Sequence, residues 1–357
     1  MKTIFTSFLL FVLVMLNAQN EFFVHKATSS TIVGYATLID HPYLNNNPDA
    51  FFVVSHAWNP PGGSSVYNNK ISGLFYSIEN SGWVIYNQDS SNLIVDSSYF
   101  IYIPQSGYGA ELTASATNIY GNYVILDYPY TNNNPDAVVI VNPIYTTYIN
   151  NNLGLWYDGN NWKLYNEDGT TGFTIGQKFM IGVAGNNQVA YRHQATVANI
   201  ESNWTVIDHP LLNNNPNGKF VFTHNWGEDS TSSNVLYDKV AGAWYDGSRW
   251  CIYNEDQTNF TQNLMFNLVI DTTTMGVEDI EASQTTIYPN PVVNDVHITS
   301  KNTIEEIRIY NMTGEEVLKN NSNATAVQLN VSKLPSGVYV VVIKTSKGVE
   351  TKKLVKK

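Results

Sequence analysis

Apolar and polar side chains alternate along this chain in short bursts separated by Asn, Asp, Gly, Pro and Ser, and nowhere do they recur at helical spacing. The pattern is clearest in three stretches: GLFYSIENSGWVIYNQD from Gly73, GLWYDGNNWKLYNED from Gly154 and GAWYDGSRWCIYNED from Gly242. Asp158-Gly159 and Asp246-Gly247 are turn dipeptides between alternating aromatic runs, which predicts a β-hairpin in each stretch. A further apolar strand follows each hairpin, in SSYFIYI, QKFMIGV and LMFNLVI.

The bursts belong to a unit written three times. Aligned without gaps, Ala27 to Ala57 matches Ala114 to Ile144 and Ala195 to Asn225. With about five short strands each, the copies read as small antiparallel β-sandwiches or barrels. The expected organisation is a signal peptide over 1–18, β repeats at 23–103, 110–183 and 191–270, a linker over 271–284 and a separate domain over 285–357. The whole chain is expected to be all-β.

Between the first strands of each copy lies a conserved-looking loop, HPYLNNNPDA, YPYTNNNPDA or HPLLNNNPNG. Asparagine bonds its own backbone and tolerates left-handed conformations, and proline forbids ladder pairing, so the loop reads as a rigid corner. Asn45, Asn47 and Asp49 also have the alternating oxygen spacing that calcium favours, although Asn213, Asn215 and Asn217 are all neutral in copy 3. Each copy adds Asp before the loop (Asp40, Asp127, Asp208) and after the hairpin (Asp89, Asp168, Asp256).

Six histidines fall in matched pairs. His25, His41 and His56 of copy 1 align with His193, His209 and His224 of copy 3, whereas copy 2 has Leu112, Tyr128 and Pro143. Three imidazoles brought together within a copy would bind zinc or copper; scattered, they are polar strand-end residues.

The aromatic hairpins carry the binding hypothesis. Trp83, Trp162 and Trp250, with Tyr76, Tyr157 and Tyr245 and the neighbouring Asn87, Asn166 and Asn254, offer stacking faces beside directional hydrogen-bond groups, the chemistry of a carbohydrate site. The same aromatics, alternating along strands, also suit a core. Tandem sites would add avidity for a glycan or matrix polymer. The competing reading is a structural or adhesive spacer, and a hydrolase stands third. No catalytic residue is assigned: there is no GxSxG, HExxH, CxxC or phosphate-cradling loop, and Glu167 and Glu255 face Gln88 in copy 1. The protein is therefore expected not to be an enzyme and to need no cofactor. Cys251 aligns with Val84 and Lys163, and this predicts a half-exposed, unactivated thiol.

Composition narrows the setting. The 357 residues are 43% hydrophobic and 14% charged, those of a globular chain. Lys2 followed by the apolar run Phe8 to Leu16 and Ala18 reads as a cleaved signal peptide, with no later stretch long enough to span a bilayer. Residues 19–285 hold 24 acidic against 8 basic side chains, whereas 286–357 hold 6 against 10. The acidic body argues against nucleic acid as a partner, and the basic tail is a separate module.

That tail contains YPNP (Tyr288, Pro289, Asn290, Pro291), IYNMTGEEV, LPSGVYVV with Gly337 and Tyr339, and a lysine-rich end with Lys352 and Lys353. These motifs resemble the type A carboxy-terminal sorting domain of the Bacteroidetes type IX secretion system, over roughly residues 277–357. The resemblance implies an immunoglobulin-like β-sandwich, recognition by the type IX machinery at the outer membrane, and cleavage in the linker or attachment to surface lipopolysaccharide. Asp271-Thr272-Thr273 is similar to the O-glycosylation sequon of that phylum. The three repeats resemble an uncharacterised repeated domain of secreted bacterial proteins. The expected location is the outer-membrane surface or the medium.

Overall fold

The computed structural model describes residues 21–63, 65–185, 188–228, 235–272, 285–311, 316–345 and 348–357. The expected signal peptide, and the 271–284 linker beyond its first two residues, lie outside them. The chain divides into two compact units, Met1–Met275 and Gly276–Lys357. Every described element is a strand, as the alternation predicts.

Each copy contributes seven strands where the sequence suggested about five. The additional pair, Ile32–Val33 with Ala36–Leu38 in copy 1, is too short to show alternation. It turns at Gly34, which has φ 64, and the equivalent turns use Gly121 at φ 60 and Ser202 at φ 57. Glycine suits this left-handed corner because it has no Cβ.

The seven strands of a copy do not stay in one sheet. In copy 1, Glu21–Lys26, Ser98–Ile103 and Val53–Ala57 join one sheet, while Ile32–Val33, Ala36–Leu38, Gly82–Asn87 and Ser72–Ser77 join another. Each seven-stranded sheet thus combines the four-strand half of one copy with the three-strand half of the next. The pairing at each junction is parallel: Leu74 beside Ile144, Gly154 beside His224, and Ala243 beside Ala57. Copy 1 joins copy 2, copy 2 joins copy 3, and copy 3 returns to copy 1. The all-β expectation holds, with one feature that tandem sandwiches would lack: the repeats interlock in a closed ring.

Three equivalent inner strands, Val53–Ala57, Val139–Ile144 and Phe220–Glu228, meet at the centre of that ring. Ser55, Asn142 and Thr223 hold the same place in the three copies, and each receives a backbone N–H from a neighbouring copy. Val54 N donates to Asn142 Oδ1 at 2.7 Å, Val141 N to Thr223 Oγ1 at 3.1 Å and Phe222 N to Ser55 Oγ at 2.9 Å. These strand edges have no ladder partner at that point, so the side chains satisfy amides that would otherwise be buried unpaired. The clasp fixes the three copies in register.

In the tail, Thr285–Tyr288, Asp295–Tyr310, Gly337–Thr345 and Gly348–Lys356 lie side by side, and Glu316–Asn330 pairs with Asp295–Tyr310. The first part of the long strand pairs with Thr285–Tyr288 and its later part with Gly337–Thr345. A bridge from Val292 to Lys356 joins the two ends of the sheet around Val296, Ile298, Ile307, Val341 and Leu354. Within YPNP, Asn290 donates to Lys353 O at 2.7 Å and accepts from Val355 N at 2.9 Å, fastening the last strand. Tyr339 is buried with its hydroxyl on Pro335 O, whereas Tyr288 is exposed and stacks on His297.

Candidate functional site

The Asn-Pro loop is a structural corner. Its first asparagine accepts the N–H that opens the loop and donates to the preceding aspartate: Asn45 Oδ1 takes His41 N at 3.2 Å, and Asn45 Nδ2 reaches Asp40 at 2.8 Å. The second is left-handed, at φ 55, 52 and 53 for Asn46, Asn133 and Asn214. The third returns to the backbone, as Asn47 Nδ2 to Tyr43 O at 2.9 Å, and its own carbonyl accepts an indole N–H. These asparagine groups are engaged in shaping the loop.

The indoles in question are Trp83, Trp162 and Trp250, which donate to Asn47, Asn134 and Asn215 carbonyls at 2.9, 3.0 and 2.8 Å. All three are buried. Tyr76, Tyr157 and Tyr245 pack against them, with ring centroids 5.8, 5.6 and 5.4 Å away. Asn87, Asn166 and Asn254 are buried too and close the turns after the hairpins through carbonyls such as Asn92 O, Thr171 O and Thr258 O. Most residues expected to form a sugar platform are therefore buried, with Tyr76 and Tyr245 partly buried against the core, because alternation in a strand identifies two faces without saying which is inward. Cys251 is also corrected: it is fully buried, and burial pushes its thiol pKa up. Its counterpart Lys163 accepts a buried position because its ammonium meets Asp158 at 2.7 Å.

The histidines do not gather within a copy, and among the described residues no three His, Cys, Asp or Glu side chains meet. His25 and His193 are buried on Thr37 and Thr205 hydroxyls at 2.9 and 2.8 Å, and burial lowers each pKa to about 4. In copy 2 both partners become apolar together, as Leu112 and Val124. The neutral imidazoles stabilise the fold fully above the unfolded value near 6.5, and that stability is lost as pH falls toward 4. Thermal unfolding should show a drop over this window that shrinks in the His25→Gln, His193→Gln double variant. His41 and His209 accept loop N–H groups of Tyr43 and Leu211 at 3.2 and 3.3 Å.

His56 and His224 differ, because each crosses a junction. His56 Nδ1 bonds Glu255 of copy 3, and His224 Nδ1 bonds Glu167 of copy 2. Each carboxylate also accepts a backbone N–H of the histidine's own copy, from Asn68 at 3.0 Å and Tyr237 at 2.8 Å. Tyr253 and Tyr165 hydroxyls add contacts at 2.6 and 3.1 Å. At the remaining junction Pro143 replaces histidine and Gln88 replaces glutamate, and Gln88 still accepts Ile149 N at 2.9 Å. Gly73, Gly154 and Gly242 leave the room these acceptors occupy; a Cβ there would overlap Gln88, Glu167 and Glu255. The sequence did hold a sign of this latch, in that the glutamates sit in copies 2 and 3 while the histidines sit in copies 3 and 1.

Outside each junction lies an aromatic cluster made by two copies, and at two of the junctions it opens into a cleft. Trp204, Trp244 and Tyr253 of copy 3 meet Trp58 and Tyr67 of copy 1 around a space of about 90 Å³. Tyr123, Trp156 and Tyr165 of copy 2 meet Trp226 and Leu236 of copy 3 around about 550 Å³. The third junction places Tyr35, Phe75 and Tyr86 of copy 1 beside Tyr145 and Tyr148 of copy 2, with ring centroids 5.2 to 6.4 Å apart. Tyr35, Tyr67, Tyr145 and Tyr148 are exposed, and Trp58, Trp156, Trp226 and Trp244 are half-buried.

No curated protein matches the chain. Among solved structures, PorZ, a surface component of the type IX secretion system of Porphyromonas gingivalis, is 16% identical at a TM-score of 0.19; the match covers 93% of this chain and 53% of that one. The chain thus spans about half the length of that protein. The BSP domain of a biofilm associated protein is 8% identical at a TM-score of 0.19, covering 95% and 82%. The first four immunoglobulin domains of Dscam1 are 11% identical at 0.16, covering 87% and 91%. At such scores these likenesses carry no argument. The sequence families are decisive, with three matches to a domain of unknown function at residues 3–103, 73–183 and 164–270, and one to a secretion system C-terminal sorting domain at 286–357. The sorting domain makes this a secreted, cell-surface protein of the type IX route. With three interlocked copies ahead of that export tail, the chain belongs to the family described as domain of unknown function (DUF7452).

Proposed function

We propose that the repeat body is a non-catalytic, multivalent binder of a surface carbohydrate, with the aromatic junction clefts as its subsites. The observation that carries this reading is the recurrence of an outward aromatic cluster at all three junctions, opening into a cleft at two of them, on the opposite side of the hairpins from the buried tryptophans. Indole and phenol faces stack on the apolar faces of sugar rings. In the first cleft, the indole N–H groups of Trp58 and Trp204 are buried without an acceptor, and Asn203 stands beside them. A hydroxyl-rich ligand supplies such acceptors. The net charge of −16 over residues 19–285, from 24 acidic and 8 basic side chains, favours a neutral glycan over an anionic one. The spacer reading loses ground because copies that close into a ring do not extend end to end.

Glycan-array screening of the exported chain, followed by titration of the best ligand, tests the proposal. Trp156→Ala and Trp244→Ala are each expected to weaken the affected cleft by about 2 kcal/mol, or roughly thirty-fold. Combined, they should cost more than either alone through lost avidity. Absence of any glycan ligand, or binding unchanged in the combined variant, refutes it.

A further inference from the structure

The inner strands surround a cavity of about 130 Å³ on the axis of the ring, lined by residues from all three copies, among them His56, His224, Ser72, Asn152 and Pro143. Glu255 and Glu167 stand behind the two imidazoles, outside this lining. Each carboxylate can only accept, so Nδ1 of each histidine carries the hydrogen they share. That tautomer leaves Nε2 with its lone pair. His56 Nε2 and His224 Nε2 are both buried, at 5% and 4% residue exposure, and neither has a hydrogen-bond partner.

An imidazole held by a carboxylate through one nitrogen, with the other free, is the outer-shell arrangement of a histidine bound to a transition metal. Two such imidazoles line one cavity. Behind them are two buried carboxylates whose charge a dication between the rings would neutralise, whereas burying charge without compensation is costly. The third junction supports the pairing of roles, since histidine and glutamate are missing there together, as Pro143 and Gln88.

We propose that the axial cavity is a transition-metal site with Nε2 of His56 and His224 as protein ligands, Glu255 and Glu167 as their outer shell, and water in the remaining positions. Imidazole ligands favour copper, nickel or zinc over calcium or magnesium. The test is calorimetric titration of the tag-free exported chain with Cu²⁺ and with Zn²⁺, alongside thermal unfolding. One tight equivalent per chain and a raised Tm are expected, and His56→Gln or His224→Gln should each weaken the site at least tenfold. Because those variants could disturb folding, the reciprocal change is the stronger arm. Pro143→His with Gln88→Glu builds the absent third latch and should tighten binding at least tenfold. No tight equivalent in the parent chain, with water alone filling the cavity, overturns the proposal, as does affinity unmoved by both sets of variants. Glycan binding at the outer clefts is read separately and is expected to persist without metal.

Discussion

Glu255→Ala is expected to destabilise the repeat body by about 3–5 kcal/mol, the scale for leaving several buried hydrogen-bond donors unpaired at once. Glu255 has no exposed side-chain surface, and it accepts His56 Nδ1, Asn68 N and Tyr253 Oη at once. Its loss removes the acceptor shared by all three donors, leaving Tyr253 and His56 only their long 3.4 Å contact with each other, and loosens the junction that closes copy 3 onto copy 1. The protein contains its own repair. His56→Pro with Glu255→Gln transplants the Pro143 and Gln88 pair from the junction between copies 1 and 2. Proline fits the strand because His56 opposite Tyr99 has the same register as Pro143 opposite Phe179. Each single change should be costly and the double change should recover most of the loss, giving a coupling energy of about 2 kcal/mol in urea unfolding. Strict additivity would show that the latch is not the unit of closure.

The sequence discloses the local structure well and the long-range structure poorly. Alternation and the Asp-Gly turns place the hairpins and the closing strands, since both signals act within a few residues. The Asn-Pro loop is legible for the same reason, as the asparagine bonds that shape it lie within the loop or join it to the preceding aspartate and the next hairpin. Trp162 and Trp156 show where local signals stop: they flank one hairpin turn on adjacent strands, and one is core while the other faces a cleft. The parallel junctions join residues such as Ala57 and Ala243, so no local pattern records them. What does record them is a mismatch between copies. His25 with Thr37 changes to Leu112 with Val124 inside one copy, whereas His56 with Glu255 and Pro143 with Gln88 change across copies. A pair that varies within a copy marks a contact inside it, and a pair displaced by one copy marks a shared junction.

Copy 3 alone should assemble as a homotrimer. Its three-strand half and four-strand half lie in different sheets, and each half is completed by a different neighbour. An isolated copy therefore presents two open strand edges, one along Phe220–Glu228 and one along Ala241–Tyr245, which cannot pair with each other in the same molecule. Three identical copies can satisfy every edge by a heterologous contact that closes after three steps. Copy 3 is the one suited to this, because it carries both His224 and Glu255 and so both sides of the latch. Copy 2 would set Glu167 against Pro143, burying a carboxylate without its imidazole, and copy 1 would set His56 against Gln88. Sedimentation of residues 189–271 should give three times the monomer mass, with Glu255→Ala reducing it to unfolded monomer, while residues 110–183 should fail to form a stable trimer. A folded, monomeric copy 3 would mean that a single repeat can close its own sheets, and the ring would then be a convenience of tandem linkage instead of a condition of folding.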